Sequence, residues 1–252
     1  MNYSIKTDPG KRKDNQDYTG TFFNQSSVLL AILCDGLGGH QAGDIASEMA
    51  VSQIGNSWEQ TQFTPQDTYL IQNWLKDVIN RENTRIYDAA ETYSDLEGMG
   101  TTLVAVVVLE KQLLFANIGD SRAYIYQDNE MNLVTEDHSF VSELQRRGEL
   151  TDLEAKNHVN RNALTRSLGV DGNLDIDFFK VLRSSADLVL LNSDGLSNTL
   201  SEQQMIDVLN TDLDLNQKAE DLVNLAILNE ASDNVTVNLI DVQSEKLDEA
   251  GE

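Results

Sequence analysis

Cysteine occurs once and proline twice in this 252-residue chain. A single thiol, Cys34, closes no internal disulfide, which suits a reducing compartment. So few prolines, beside 40% hydrophobic residues, suit a packed globular fold rather than a disordered one. No apolar run reaches the roughly 18 residues of a membrane helix, so no membrane insertion is expected. The opening Met1-Asn2-Tyr3-Ser4-Ile5-Lys6 lacks the apolar centre of a signal peptide. Together these absences predict a cytoplasmic protein. Positive charge is also scarce: 18 Lys and Arg stand against 42 Asp and Glu, a net of -24. Such a surface repels nucleic acid and anionic lipid, so neither is an expected partner.

Several chemistries are excluded by missing motifs. The histidines at 40, 138 and 158 form no His-x-x-x-His pair, against a zinc peptidase. There is no Gly-x-x-x-x-Gly-Lys-Ser/Thr loop, no dinucleotide glycine spacing and no Gly-x-Ser-x-Gly elbow. No aspartate series has the calcium-loop spacing. Cys34 is followed by His40, not by an arginine placed to cradle phosphate, and reads as core filler rather than nucleophile.

What is present is a repeated arrangement of acids at strand ends. Val28 to Leu33 is a continuous apolar run that stops at Asp35-Gly36, with Gly38, Gly39 and Gly43 following. Helical spacing then begins with Ala42, Ile45, Ala46, Met49, Ala50 and Ile54. Taken alone, Asp-Gly is either ordinary turn chemistry or a carboxylate held at a rigid strand tip for a metal. Thr64-Pro65 predicts the start of a long helix with Ile71, Trp74, Leu75, Val78 and Ile79 on its apolar stripe. Thr101–Leu109, Leu113–Ile118 and Ala123–Tyr126 predict an antiparallel meander, with Gly119-Asp120 between the last two. Thr151 and Ser201 each open a capping box. Residues 187–192 run into Ser193-Asp194-Gly195, and Asp233-Asn234 precedes a last alternating strand. Residues 1–243 read as one mixed α and β domain, and the acidic tail 244–252 is expected to be disordered. Aspartates 35, 120, 194 and 233 thus stand at strand ends or loops, and oxygen-only ligands select hard cations, Mg²⁺ or Mn²⁺.

Eight motifs in order carry a family resemblance. They are Arg12-x-x-Asn-Gln-Asp17, Asp35-Gly36-Leu-Gly-Gly-His40-x-Ala-Gly43, Gly98-Met-Gly-Thr-Thr102 and Gly119-Asp-Ser-Arg122. Asp137-His-Ser, Arg161-Asn-x-Leu-Thr-Arg166, Ser193-Asp-Gly195-Leu-Ser and Asp233-Asn-x-Thr236 follow. Over residues 2 to 242 the chain resembles the bacterial metal-dependent serine/threonine phosphatases of the PPM, or protein phosphatase 2C, family. The resemblance implies an α+β fold: a four-layer α-β-β-α sandwich of two antiparallel sheets flanked by helices, with a flap at about 137–165. It implies that Asp35 bridges two tightly bound Mn²⁺ or Mg²⁺ ions and that Gly36 ligates one through its carbonyl. Asp194 and Asp233 match ligands of the other ion, and Asp120 with Asp194 matches a third, weaker site. Arg12 matches the residue that grips substrate phosphate, and Asp17 one that orients water from behind the ligands. The chain departs from the animal enzymes in having Leu37, not histidine, directly after Asp-Gly. His40 need not inherit the role of leaving-group acid.

The implied reaction is hydrolysis of phosphoserine and phosphothreonine on proteins, with a metal-bridged hydroxide attacking phosphorus in line. The implied partners are phosphorylated proteins, including a cognate bacterial serine/threonine kinase and its substrates, with the phosphatase acting as a monomer. The alternative from another class is a pseudophosphatase, the same fold binding phosphoproteins without turnover. A partner-switching phosphatase would be expected to bring a further sensor domain.

Overall fold

A computed structural model of the chain describes residues 1–38 and 42–243. His40 and the tail 244–252 lie outside the described residues. The strands are β1 Asn2–Asp8, β2 Asp17–Phe23, β3 Leu29–Leu37, β4 Gly100–Thr101, β5 Leu103–Val108 and β6 Gln112–Ile118. They continue with β7 Arg122–Gln127, β8 Glu130–Leu133, β9 Asp177–Leu182, β10 Leu188–Asn192 and β11 Val235–Asp241. The helices are α1 Ala42–Glu59, α2 Thr68–Thr92, α3 Phe140–Arg146, α4 Asp152–Lys156, α5 Asp194–Ser197, α6 Glu202–Leu209 and α7 Leu215–Leu228.

Two antiparallel sheets form, in the orders β1-β11-β10-β7-β8 and β2-β3-β5-β6-β9, with β4 paired to β3. The central strands are apolar throughout because both of their faces are covered. In β3, Leu29, Ala31 and Leu33 meet Val104, Val106, Val189, Leu191 and Ile240 between the sheets. Leu30, Ile32 and Cys34, on the alternate face, pack with Ala46, Ala50 and Ile54 of α1 and with Ile71 and Leu75 of α2. Beyond the other sheet, Leu190, Val237 and Leu239 pack with Met205 and Leu209 of α6 and Leu222 and Ala226 of α7. The layers therefore run α-β-β-α. Cys34 fills this core, and burial pushes its thiol pKa far up, which leaves it inert.

Three sequence expectations are corrected. The run at 122–127 does not extend the meander: β7 pairs with β10 and β8 in the opposite sheet. Gly119, at φ 104°, swings the chain from one sheet to the other, a conformation that favours glycine. The long helix starts at Thr68 rather than Thr64-Pro65. The Asp67 carboxylate accepts from both the amide and the hydroxyl of Thr64 at 2.7 Å, and the resulting turn holds Pro65 outside the helix. Finally, β3 does not stop at Asp35 but continues to Leu37, because β4 pairs with Gly36 and Leu37. Trp74 behaves as core, its ring 5.2 Å from that of Trp58. Both capping boxes form as read, and Asp214 with Gln217 makes a third at the start of α7.

Residues 137–165 leave the sandwich and return with their two stems joined. Ser139 bridges Leu164, the Phe140 amide donates to Ala163 at 2.8 Å, and the Thr165 amide donates to His138 at 2.9 Å. Between the stems lie α3 and α4, with Leu153 and Val159 standing 71% and 88% exposed. Few apolar groups anchor this excursion, so its local opening costs less than opening the sheets.

Candidate active site

The sheet registers bring distant acids to one end of the sandwich. Asp17 opens β2 and lies directly across from Asp35 of β3. Asp120 follows β6, Asp194 follows β10, and Asp233 precedes β11. Arg12 sits in the connection between β1 and β2. Arg12, Asp35, Gly36, Asp120, Asp194 and Asp233 all line one cavity of about 370 Å³. Asp17 lies just behind it, buried. A larger groove of about 1090 Å³ opens alongside, between the 137–165 excursion and the α5–α6 region, and shares Asp120, Asp194 and Asp233 with the cavity.

These carboxylates resist being charged together. Burial first, then the neighbouring Asp17, Asp194, Asp120 and Asp233, push the Asp35 pKa well up. Burial is also the main cause that pushes Asp17 and Asp120 up to about 7 and Asp194 up to about 6. Among the described residues no three such side chains close into a ready-made ligand set. They face a common cavity without collapsing on one point.

The backbone beneath them is held by residues to which sequence reasoning assigned no role. Thr101 and Thr102 clamp Asp35: the Thr101 hydroxyl and the Thr102 amide each donate to its carbonyl at 2.9 Å, and its amide donates to the Thr102 hydroxyl at 2.9 Å. Asn234 ties in the Arg12 loop, accepting from the Gln16 amide at 2.8 Å and donating to the carbonyls of Pro9 and Asp14 at 3.0 Å. Ser193 donates to Asp17 Oδ2 at 2.7 Å and accepts from the Thr236 amide at 3.0 Å. Each of these residues stands within or beside a quoted motif, which was the available signal. The hydrogen-bond partners, however, lie in distant segments.

Arg12 is exposed and donates from Nη2 to Asp233 Oδ2 at 2.8 Å, so the loop cation already leans on the acidic centre. Arg122, two residues after Asp120, turns to Asp137 instead. It makes a two-pronged pair with Asp137, at 2.9 and 2.7 Å, and so ties β7 to the start of the excursion.

The sequence matches the protein phosphatase 2C family model over residues 10–229. The chain belongs to the protein phosphatase 2C family. It is 41% identical over 244 residues to a serine/threonine phosphatase, stp, of Listeria welshimeri, covering 96% of both chains. The solved serine/threonine phosphatase of S. agalactiae superposes with a TM-score of 0.90 at 39% identity, over 94% of this chain and 98% of that one. The catalytic domain of the serine threonine protein phosphatase PstP, solved with 2 manganese ions, gives a TM-score of 0.81 at 29% identity, over 95% and 97%. The protein is a metal-dependent protein serine/threonine phosphatase, and the pseudophosphatase alternative is not favoured. Among the described residues no helix is long and apolar enough to cross a membrane.

The residues present fit the divalent cations on which the protein phosphatase 2C family depends. The acidic donors are all oxygen, as hard cations require. A cation among Asp35, Asp120, Asp194 and Asp233 would relieve the repulsion that helps to raise the pKa values of Asp35, Asp120 and Asp194. Asp17 Oδ1 is buried without a hydrogen-bond partner, a polar orphan aimed at no protein group. Gly36 is packed so tightly that a Cβ would overlap the Gly43 carbonyl and approach Gln16 O to 2.7 Å, so only bare backbone fits there.

Proposed function

We propose that the cavity bounded by Asp35, Gly36, Asp120, Asp194 and Asp233 is the catalytic centre for phosphoserine and phosphothreonine hydrolysis. The convergence of these four acids, from four separate places in the chain, on one cavity is the observation that carries the reading. Asp35, Gly36, Asp194 and Asp233 hold two tightly bound cations, Mn²⁺ or Mg²⁺, and Asp120 with Asp194 holds a third more weakly. The bound cations supply Lewis acidity and positive charge for in-line attack by water on phosphorus. Asp17, fixed by Ser193, offers its free oxygen to orient water from behind the ligands. Arg12 exchanges its contact with Asp233 for the phosphoryl oxygens of substrate and stabilises their charge. No protein nucleophile takes part, in keeping with the inert Cys34.

Residues 1–243 act as a single cytoplasmic, monomeric phosphatase domain, and the excursion at 137–165 forms a flap that contributes to substrate choice. The large groove beside it leaves room for peptide on either side of the phosphoresidue. The substrates are phosphorylated proteins, among them a cognate serine/threonine kinase and its targets. Turnover of p-nitrophenyl phosphate and of a phosphothreonine peptide should appear with Mn²⁺ and vanish with excess chelator. Unchanged turnover under chelation would remove the metal centre from the mechanism.

A guanidinium that binds phosphate in ground and transition states alike acts mainly on KM. Arg12→Ala should therefore raise KM for a phosphopeptide about tenfold, the cost of roughly one charge-assisted hydrogen bond. The loss in kcat should be smaller. Steady-state kinetics decide the matter, and an unchanged KM would leave Arg12 as a loop residue paired with Asp233.

A further inference from the structure

His138 is a buried polar side chain near the site that the proposed chemistry does not use. It is 1% exposed and lies at the root of the 137–165 excursion. Two hydrogen bonds join it to Gly119: its amide donates to the Gly119 carbonyl at 2.9 Å, and its Nδ1 accepts from the Gly119 amide at 3.1 Å. An amide N–H only donates, so Nδ1 must carry the lone pair and Nε2 the proton. Nε2 accordingly donates to Asp177 Oδ2 at 3.0 Å, on the first residue of β9. Arg166 holds the other oxygen of Asp177 at 2.9 Å. The His138 carbonyl accepts from Thr165, so the same residue also closes the stem of the excursion.

Gly119 immediately precedes Asp120. Its φ is 104°, and a Cβ built there would come within 2.6 Å of Thr102 Cγ2, so the turn leaves no room for a side chain on that flank. The imidazole is thus the one side chain bonded to the Gly119 amide among the described residues, and it is rigidly held by Asp177 and Arg166.

The geometry points to His138 as a positioning residue that fixes the Gly119-Asp120 turn and links the aim of the Asp120 carboxylate to the flap stem. This role rests on the proposed reading of Asp120 as a ligand of the weakly held cation. Partners behind a ligand that set its orientation are worth about 10–100-fold in metal affinity or activity. With the stem and the turn joined through one residue, displacement of the flap by a bound phosphoprotein is felt at Asp120.

Two conservative substitutions divide the functions of the ring. In His138→Asn the amide oxygen falls where Nδ1 was and can accept from Gly119, while the link to Asp177 is lost. In His138→Gln the longer side chain reaches Asp177 but leaves the Gly119 amide without its acceptor. Calorimetric Mn²⁺ titration of both full-length variants, beside kcat and melting temperature, is the test. The expected result is a weak Mn²⁺ phase shifted about tenfold in His138→Gln, and largely restored in His138→Asn, with the tight phase intact in both. A wild-type weak phase in His138→Gln would overturn the role. So would equal impairment of the two variants that simply follows their melting temperatures. Asp120→Asn, titrated alongside, separates the failures. If it too keeps a wild-type weak phase, the reading of Asp120 falls and the role of His138 with it. If it loses that phase while His138→Gln does not, the role of His138 falls alone.

Discussion

Asp35→Asn should lower turnover of a phosphopeptide by more than about a hundredfold, beyond the range expected for residues behind the ligands. The carboxylate sits at the end of the sandwich where the acids converge, and burial, then Asp17, Asp194, Asp120 and Asp233, push its own pKa well up. Replacing it by an amide removes the charge that two cations would share while retaining nearly the same shape. The fold should survive. The Asp35 backbone is held by Thr101 and Thr102 whatever its side chain, and burial already disfavours its charge. Without metal the variant should therefore melt no lower than wild type, because one source of repulsion among buried acids is gone. Calorimetric Mn²⁺ binding should show the tight phase weakened. Full turnover at modest Mn²⁺ in a folded Asp35→Asn would overturn the assignment of the centre.

The sequence made the acids of this centre visible but not the means by which they are held. Asp35, Asp194 and Asp233 were legible because each interrupts an apolar run or adjoins one, and a carboxylate at a strand end needs a reason. The sandwich itself came from the family resemblance, since runs such as 103–108 are apolar on both faces and carry no period to say which side is which. The crossing of the chain at Gly119 was hidden for a related reason. Three short strands with short spacers read as a meander, and nothing local distinguishes a hairpin from a switch between sheets. Asn234, Ser193 and His138 stood in quoted motifs but without a role, because each bonds to a segment distant in sequence: Pro9 and Asp14, Asp17, and Gly119 with Asp177. A polar residue that is buried by a distant partner has the same local appearance as one in a loop.

Asp120 offers the second large effect, and the structure sharpens the choice between its two roles. A purely local role would have it cap the turn or pair with Arg122, but Arg122 is committed to Asp137. Burial, then repulsion from Asp194 and Asp137, pushes its pKa up to about 7, so its charge is a cost to the cation-free fold. A site built on Asp120 and Asp194 alone must complete its coordination with water and so binds weakly. Asp120→Asn should then leave the tight cations in place, abolish the weak calorimetric phase, and lower kcat about tenfold or more at every attainable Mn²⁺ concentration. Its melting temperature without metal should not fall, since a disfavoured charge has been removed. A capping role makes the opposite forecast: a loss of about 0.5–2 kcal/mol of stability, with turnover and metal binding nearly unchanged. Binding, kcat and melting temperature measured on one preparation cannot satisfy both. A lowered melting point with an intact weak phase would return Asp120 to the turn and leave the phosphatase with a two-cation centre.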